Sequence, residues 1–564
     1  ARLGWIIFPS ARLPRMLRPW ICPCVCFSYH HNKNLIMFTI SPQLARVLFI
    51  LLLLLPWFSL QQKIFFPFLV YSGFDGELII LCELLFSIFV GAFGKHPAFN
   101  RHGLLLLTLI CCWHISGLIS AIASEHFHAS LIKQVQYLIH CLFAYSAWVF
   151  LRQHGKHNLM ATALVVSFMW ILFSIAHRWF ALEDPYSFNW VKGTPFFNNI
   201  RHFGFIQIVI LPFLYLPFFS SFRFKNYCTL ILLSLFWGSL IWTCSRGTFL
   251  SAIIVCLIIP FYLNHRKKEL FYLFGVAFSL GWIIALQFPV ESGNLNPYRL
   301  LFLNYENGIV SSEQLSSGRT EIWIRTLTAM WEHNPLFGLG ANGYLYVSPH
   351  ILLDSVHPHS GPVQLLAEFG IIGFIILLGS AWACLNIWRQ HQANNIQLVS
   401  RLGLIGVVLA SLVDGQFYHN FSLLFIAILI ALSFPYGAGQ SSSSNLNIIP
   451  AVSTLIISIA LIWPIQQHWQ SFLLQQVPLS DQAQFDDVRS FSSNYNPSAW
   501  LTDWSTEPKL LEQALKLGQQ VGPYHCKFFQ QEFSTTGNLK ANEVFMQKMT
   551  ASCGSKVMNQ VLDD

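Results

Sequence analysis

An all-α polytopic membrane protein is the fold class this sequence predicts, and two observations carry the prediction. The chain is 54% hydrophobic but only 10% charged, with a mean hydropathy of +0.51, far from the balance of a soluble domain. Apolar runs of about 17 to 23 residues also recur along it, the length that crosses a bilayer at about 1.5 Å per helical residue. The net charge of +8 is not gathered on one segment, which argues against nucleic acid as a partner. Cys82, Cys111, Cys112, Cys141, Cys228, Cys244, Cys256 and Cys384 lie in apolar segments, where cysteine reads as a small hydrophobe.

The chain opens with a segment over 1–43, expected in the cytoplasm. Its first 36 residues are basic and rich in Pro and Cys, and they read as an extended gene start ahead of Met37. Cys22, Cys24 and Cys26 alternate there without a second ligand pair, a weak pattern for metal. Membrane spans are predicted near 44–60, 77–93, 103–122, 133–151, 159–181, 202–219, 227–243, 247–263 and 270–288, then 364–387, 399–413, 417–435 and 448–464. These are about thirteen transmembrane helices, an N-terminal group over 44–288 and a C-terminal group over 364–464. With the N-terminus inside, Lys95 and Arg101, Arg152 and Lys156, Arg223 and Lys225, Arg266 to Lys268, and Arg389 with Arg401 all fall on the cytoplasmic side. Lys63, Lys133, Lys192, Arg201 and Arg246 fall on the outer side, where topology does not explain them.

Two pieces then lie outside the membrane on the outer side: a large loop over 289–363 and a C-terminal domain over 465–564. In the loop, SSGRTEIWIRTLTAMWEHNP begins with capping residues and stops at Asn334-Pro335. It predicts an interfacial helix with Trp323, Leu327 and Trp331 on one face and the tryptophans at headgroup level. PLFGLGANGY supplies glycines for a turn. Ser441 to Ser444 read as an inner linker, and Cys526 and Cys553 in the tail either pair in an oxidising compartment or stay free. No inverted repeat is visible, which counts against a membrane transporter or flippase.

Polar chemistry gathers at Val356 to Gly373, VHPHSGPVQLLAEFGIIG. Pro362 suits a first helical turn, and Ser360 or Gly361 suits the cap before it. His359 would then stand just outside a helix N-terminus at the membrane surface, where an anion is favoured and imidazolium is not. A neutral histidine there is a candidate proton acceptor, the alternative being a cap or packing residue. His357 reads as a loop-positioning residue, and Asp354 or Glu368 as the carboxylate that orients His359. Asp414 and Tyr418, in DGQFYHN, either contact sugar and acceptor or form a polar turn. Glu125, His126 and His128 lack a fourth metal ligand nearby. His114, His140 and His177 read as packed or pore-lining, and Glu83 is a carboxylate inside a span with no partner named by the sequence.

These residues resemble a known group, the bacterial O-antigen ligase, O-antigen polymerase and protein O-oligosaccharyltransferase superfamily. The ligase pattern of His, then Asn, Ser or Gln, nine residues, Gly, two residues, and Gly, Thr or Tyr fits His359, Ser360, Gly370 and Gly373. An R-x-x-x-L pattern fits Arg246 to Leu250, SGRTEIW surrounds Arg319, and the likeness covers roughly 190–440. NNIRHFGF, from Asn198, and the outer C-terminal domain are more similar to the pilin O-oligosaccharyltransferases, although Ser360 stands where those often have asparagine. The resemblance implies a GT-C-like fold in the bacterial inner membrane with its active site on the periplasmic face. It implies an inverting glycosyl transfer en bloc from undecaprenyl-pyrophosphate to Ser or Thr of an exported acceptor protein such as pilin, without nucleotide sugar, metal or other cofactor. An O-antigen ligase or polymerase would use the same donor. In that reading His359 is the base, Arg246 and Arg319 hold the pyrophosphate with Arg201 as a third candidate, and His357, Glu368, Asp414 and Tyr418 help bind substrate.

Overall fold

The computed structural model describes, with short breaks, residues 74–290, 319–344 and 357–435, together with two short strands and Thr454, Ile456 and Ile457. The predicted span near 44–60, all but three residues of that near 448–464, most of the 289–363 loop, Asp354, Glu125, His126, Ser441 to Ser444 and the tail with Cys526 and Cys553 lie outside the described residues. The strands β1 (Val25–Ser28) and β2 (Met37–Ile40) pair antiparallel. From Phe74 onward every regular element among the described residues is helical.

The helices are α1 (Phe74–Phe93), α2 (Arg101–Ala123), α3 (Phe127–His154) and α4 (His157–Ala181), then a 3₁₀ turn (Ile200–His202), α5 (Phe203–Ile210) and a longer 3₁₀ run (Leu211–Phe219). After them come α6 (Lys225–Thr243), α7 (Arg246–Tyr262), α8 (Lys267–Leu286), α9 (Arg319–His333), α10 (Gly361–Gln390), α11 (Asn395–Ser411) and α12 (Asn420–Ser433). Among the described residues, six segments are long and apolar enough to cross a membrane: α2, α4, Ile200–Phe219, α6, α8 and α10. This makes the chain a multi-pass membrane protein. The apolar stretch of α1 and the helices α7, α11 and α12 are shorter. At 14 residues α12 reaches about 21 Å, and its buried residues run almost without gap, so it is an interior helix. The 28-residue α3 is more polar because Lys133, Gln134, Gln136 and His140 all turn inward.

Side chains tie neighbouring helices at each end of the bundle. At one end Gln390 meets His102 at 2.9 Å, Trp148 donates to Pro435 O at 3.3 Å, and Arg401 reaches Ser433 O at 3.3 Å. At the other end Lys133 donates to Tyr418 O at 2.7 Å, Trp242 to Phe288 O at 2.9 Å, and Ser120 to Glu368 O at 3.0 Å. α10 packs along α2, α3 lies between α1 and α12, and α11 is the central helix against α5, α7 and α12. Capping agrees with the local sequence: Asn394 and Gln397 form a reciprocal capping box on α11, and the Ser360 side chain accepts from Val363 N with Pro362 in the first turn of α10.

Two features differ from the sequence expectation. The predicted span 364–387 is one apolar run, but α10 is broken at Gly370, with φ 65° and ψ −173°. The Pro335–Gly340 segment docks into the break: Ile371 N donates to Pro335 O, Ile372 N to Leu336 O, Leu339 N to Ala367 O and Gly340 N to Glu368 O, at 2.9–3.1 Å. Helix amides and carbonyls freed by the break are thereby satisfied. On α9, the two tryptophans expected together at headgroup level stand in different environments, and a different face packs on the protein. Ile322, Thr326 and Met330 are buried at a spacing of four. Trp323 turns inward and donates to Pro358 O at 2.8 Å, while Trp331 is 65% exposed.

Candidate active site

The site forms at the bundle end where α7, α9, α10 and α12 begin, which turns the positive ends of those helices toward one rim. His359 sits one residue before the Ser360 cap of α10 in a left-handed conformation, φ 51°. Its backbone N–H donates to His357 Nδ1 at 3.1 Å, which fixes Nδ1 of His357 as an acceptor. His359 Nδ1 lies 3.7 Å from Asp414 Oδ1, with the His359 side chain 36% exposed. That spacing is an ion-pair distance for a protonated ring and too long for a hydrogen bond. Asp414, on the loop between α11 and α12, accepts from Gly415 N at 2.8 Å. The absence of a side chain at Gly415 is required, since a Cβ there would stand 2.3 Å from the His357 ring.

Arginines flank this pair. Arg319, the first residue of α9, donates to Val413 O. Arg246 opens α7, and its neighbour Gly247 packs against Val413. Arg201 lies in the 3₁₀ turn before α5. Burial presses the Arg319 guanidinium below its ordinary value, Asp414 pulls it back up, and Arg201 and Arg246 push it down again. The three guanidinium groups and Asp414 therefore share one electrostatic neighbourhood. Burial, then His359, holds His357 down to about 3, so it is neutral across the physiological range. Burial alone would raise the Asp414 carboxyl, but His359, His357 and the Gly415 N–H outweigh it and hold it below the usual carboxylate value.

Of the residues singled out in the sequence, His359, His357, Asp414, Tyr418, Arg319, Arg246 and Arg201 are brought together; the Tyr418 ring lies 5.4 Å from His357. Glu368 is not beside His359. It is buried on α10, where its carboxylate accepts from Gln364 at 3.4 Å. Among the described residues the carboxylate facing His359 is Asp414 rather than Glu368; the α11–α12 loop reaches over from elsewhere in the chain. The sequence reading also missed His202 and His419 as part of this cluster. Their rings lie 4.4 Å apart, and His419 lies 5.5 Å from His357. The signal was present, because each is next to a residue already singled out, Arg201 and Tyr418. Burial, then its histidine neighbours, keeps His419 well below the usual value. His357, His359 and Asp414 each offer a ligand atom within 4.8 Å of the others, so this trio is the group among the described residues that could hold a metal ion.

A multi-pass membrane protein with a histidine–carboxylate pair and several arginines at one rim suits transfer chemistry on an anionic substrate at the membrane surface. Residues 230–378 match the family model described as O-antigen ligase. The match covers less than half of the chain and takes in Arg246, Arg319, His357 and His359, so this part of the chain is similar to that family. No curated protein matches the chain.

Proposed function

We propose that this protein is a protein O-oligosaccharyltransferase of the bacterial inner membrane. It transfers a glycan en bloc from undecaprenyl-pyrophosphate to a Ser or Thr hydroxyl of an exported protein, pilin being the acceptor favoured by the NNIRHFGF segment. The observation that carries the reading is the placement of Arg201, Arg246 and Arg319 around the His359–Asp414 pair. His359 Nε2 takes the proton as the acceptor oxygen attacks C1 of the sugar. The C1–O bond to pyrophosphate breaks with inversion, and the leaving phosphate keeps the electron pair, with the guanidinium groups against its growing charge. Asp414 steadies the imidazolium that forms. The basic loop residues Arg101, Arg152, Lys225 and Arg389 start or end helices at the opposite end of the bundle, which supports a periplasmic site by the positive-inside rule.

A second reading keeps the donor and changes the acceptor to lipid A core or a growing O-antigen chain, and the O-antigen ligase family match favours it. Reconstitution with lipid-linked glycan, purified pilin and a chelator separates the possibilities. Glycan on pilin from wild type, lost in His359→Ala and Arg246→Ala, is the expected result. Full transfer by His359→Ala sinks the base assignment, and transfer abolished by chelator returns His357, His359 and Asp414 to consideration as metal ligands. Transfer to lipid A core instead of pilin selects the second reading.

A further inference from the structure

Glu83 is fully buried on α1, and the chemistry above does not use it. Its Oε2 lies 2.7 Å from His140 Nδ1, on α3. The other ring nitrogen of His140 lies 3.4 Å from Oδ1 of Asn420, the first residue of α12. Lys133 and Tyr137 precede His140 on the same stripe of α3, at helical spacings of four and three. Lys133 Nζ donates to Tyr418 O at 2.7 Å and reaches Asn420 Oδ1 at 3.4 Å. The Tyr137 hydroxyl donates to Phe417 O at 3.1 Å. Residues 417, 418 and 420 are thus each held by an α3 side chain, and Glu83 backs the deepest of these contacts.

Asp414 and His419 ride on this same loop. We infer that Glu83, acting with the Lys133–Tyr137–His140 stripe, positions the candidate active site by holding the 414–420 loop at the height where Asp414 meets His359. The inference rests on the transferase reading for its kinetic consequence, and on geometry alone for the loop. A buried carboxylate–imidazole pair is a poor source of net stability, since desolvation offsets much of the attraction. Its value here is placement: the loop cannot slide without stranding the buried Lys133 ammonium and the Tyr137 hydroxyl, while Glu83 keeps the His140 ring turned toward Asn420.

The test measures amide hydrogen exchange over 414–420 and glycan transfer in full-length wild type, Glu83→Ala, Glu83→Gln and Tyr137→Phe. Glu83→Ala and Tyr137→Phe are expected to speed exchange in that loop while α11 and the body of α12 stay protected. They lower kcat roughly 10- to 100-fold, the scale of a small misplacement, and leave the donor KM near wild type. Glu83→Gln keeps the side chain's shape and a polar oxygen beside His140 and retains most of the rate. Wild-type exchange and kcat in the Tyr137→Phe variant would overturn the inference, as would loss of protection spread evenly over the bundle. Should wild type transfer no glycan, the transferase reading falls and the exchange measurement alone decides the positioning role.

Discussion

Gly338 and Gly370 meet backbone to backbone in the break of α10: a Cβ on Gly338 would stand 2.5 Å from Gly370 N, and one on Gly370 2.4 Å from Leu336 O. Both have positive φ, 79° and 65°. About three helical turns after His359, this contact ends the N-terminal piece of α10, before whose cap the histidine stands.

Gly370→Ala is therefore expected to destabilise the protein by at least about 2 kcal/mol, because its φ/ψ pair is essentially reserved for glycine and the methyl meets backbone. Gly379→Ala, on the same helix with its nearest neighbour at 3.7 Å, is the control. Thermal melting in detergent should separate the two.

Asp414→Asn keeps the shape of the side chain and removes the charge that faces His359. We expect kcat for glycan transfer to fall about 100-fold, with donor KM little changed, as for an interaction made chiefly in the transition state. A rise in KM at constant kcat would place Asp414 in substrate binding instead.

Arg246 stands at a helix N-terminus, where the dipole disfavours a cation unless an anion is present. Arg246→Ala should lower kcat/KM for the lipid-linked donor by about 10- to 100-fold, the worth of a charge-assisted hydrogen bond. Arg246→Lys should recover only part of this, because an ammonium cannot present two parallel donors.

Acid should weaken the fold through His357. Its folded value of about 3 lies below the ordinary histidine value of about 6.5. Between those limits the unfolded chain binds the extra proton, so stability falls as pH drops. At pH 5 the loss is about 2 kcal/mol from this residue. His419 adds in the same direction, and Asp414 adds a further loss as pH falls below the ordinary carboxylate value. Melting temperature against pH should slope less steeply in His357→Asn than in wild type.

Helix positions between residues 77 and 435 were legible because apolar run length and bilayer thickness share one scale. The rim residues were legible because Arg201, Arg246, Arg319, His357, His359, Asp414 and Tyr418 each break an apolar pattern near a span end. What pairs with what was not. Glu83 finds His140 and His359 finds Asp414 through tertiary contacts that no local spacing encodes. The break at Gly370 was hidden for a related reason: the residues around it are apolar whether the helix is straight or interrupted, and only the docked Pro335–Gly340 segment shows the difference. Trp323 and Trp331 read alike in sequence, yet one serves the site and the other faces outward.

The 15 residues of α9 carry both Arg319, fastened to Val413 beside the carboxylate, and Trp323, fastened to Pro358 beside the imidazole. A short helix outside the candidate spans thus acts as a latch across the two halves of the candidate active site. Prising it off would part base from counter-ion in a single event, so competence for turnover should vanish abruptly rather than fade when this latch is cut or displaced.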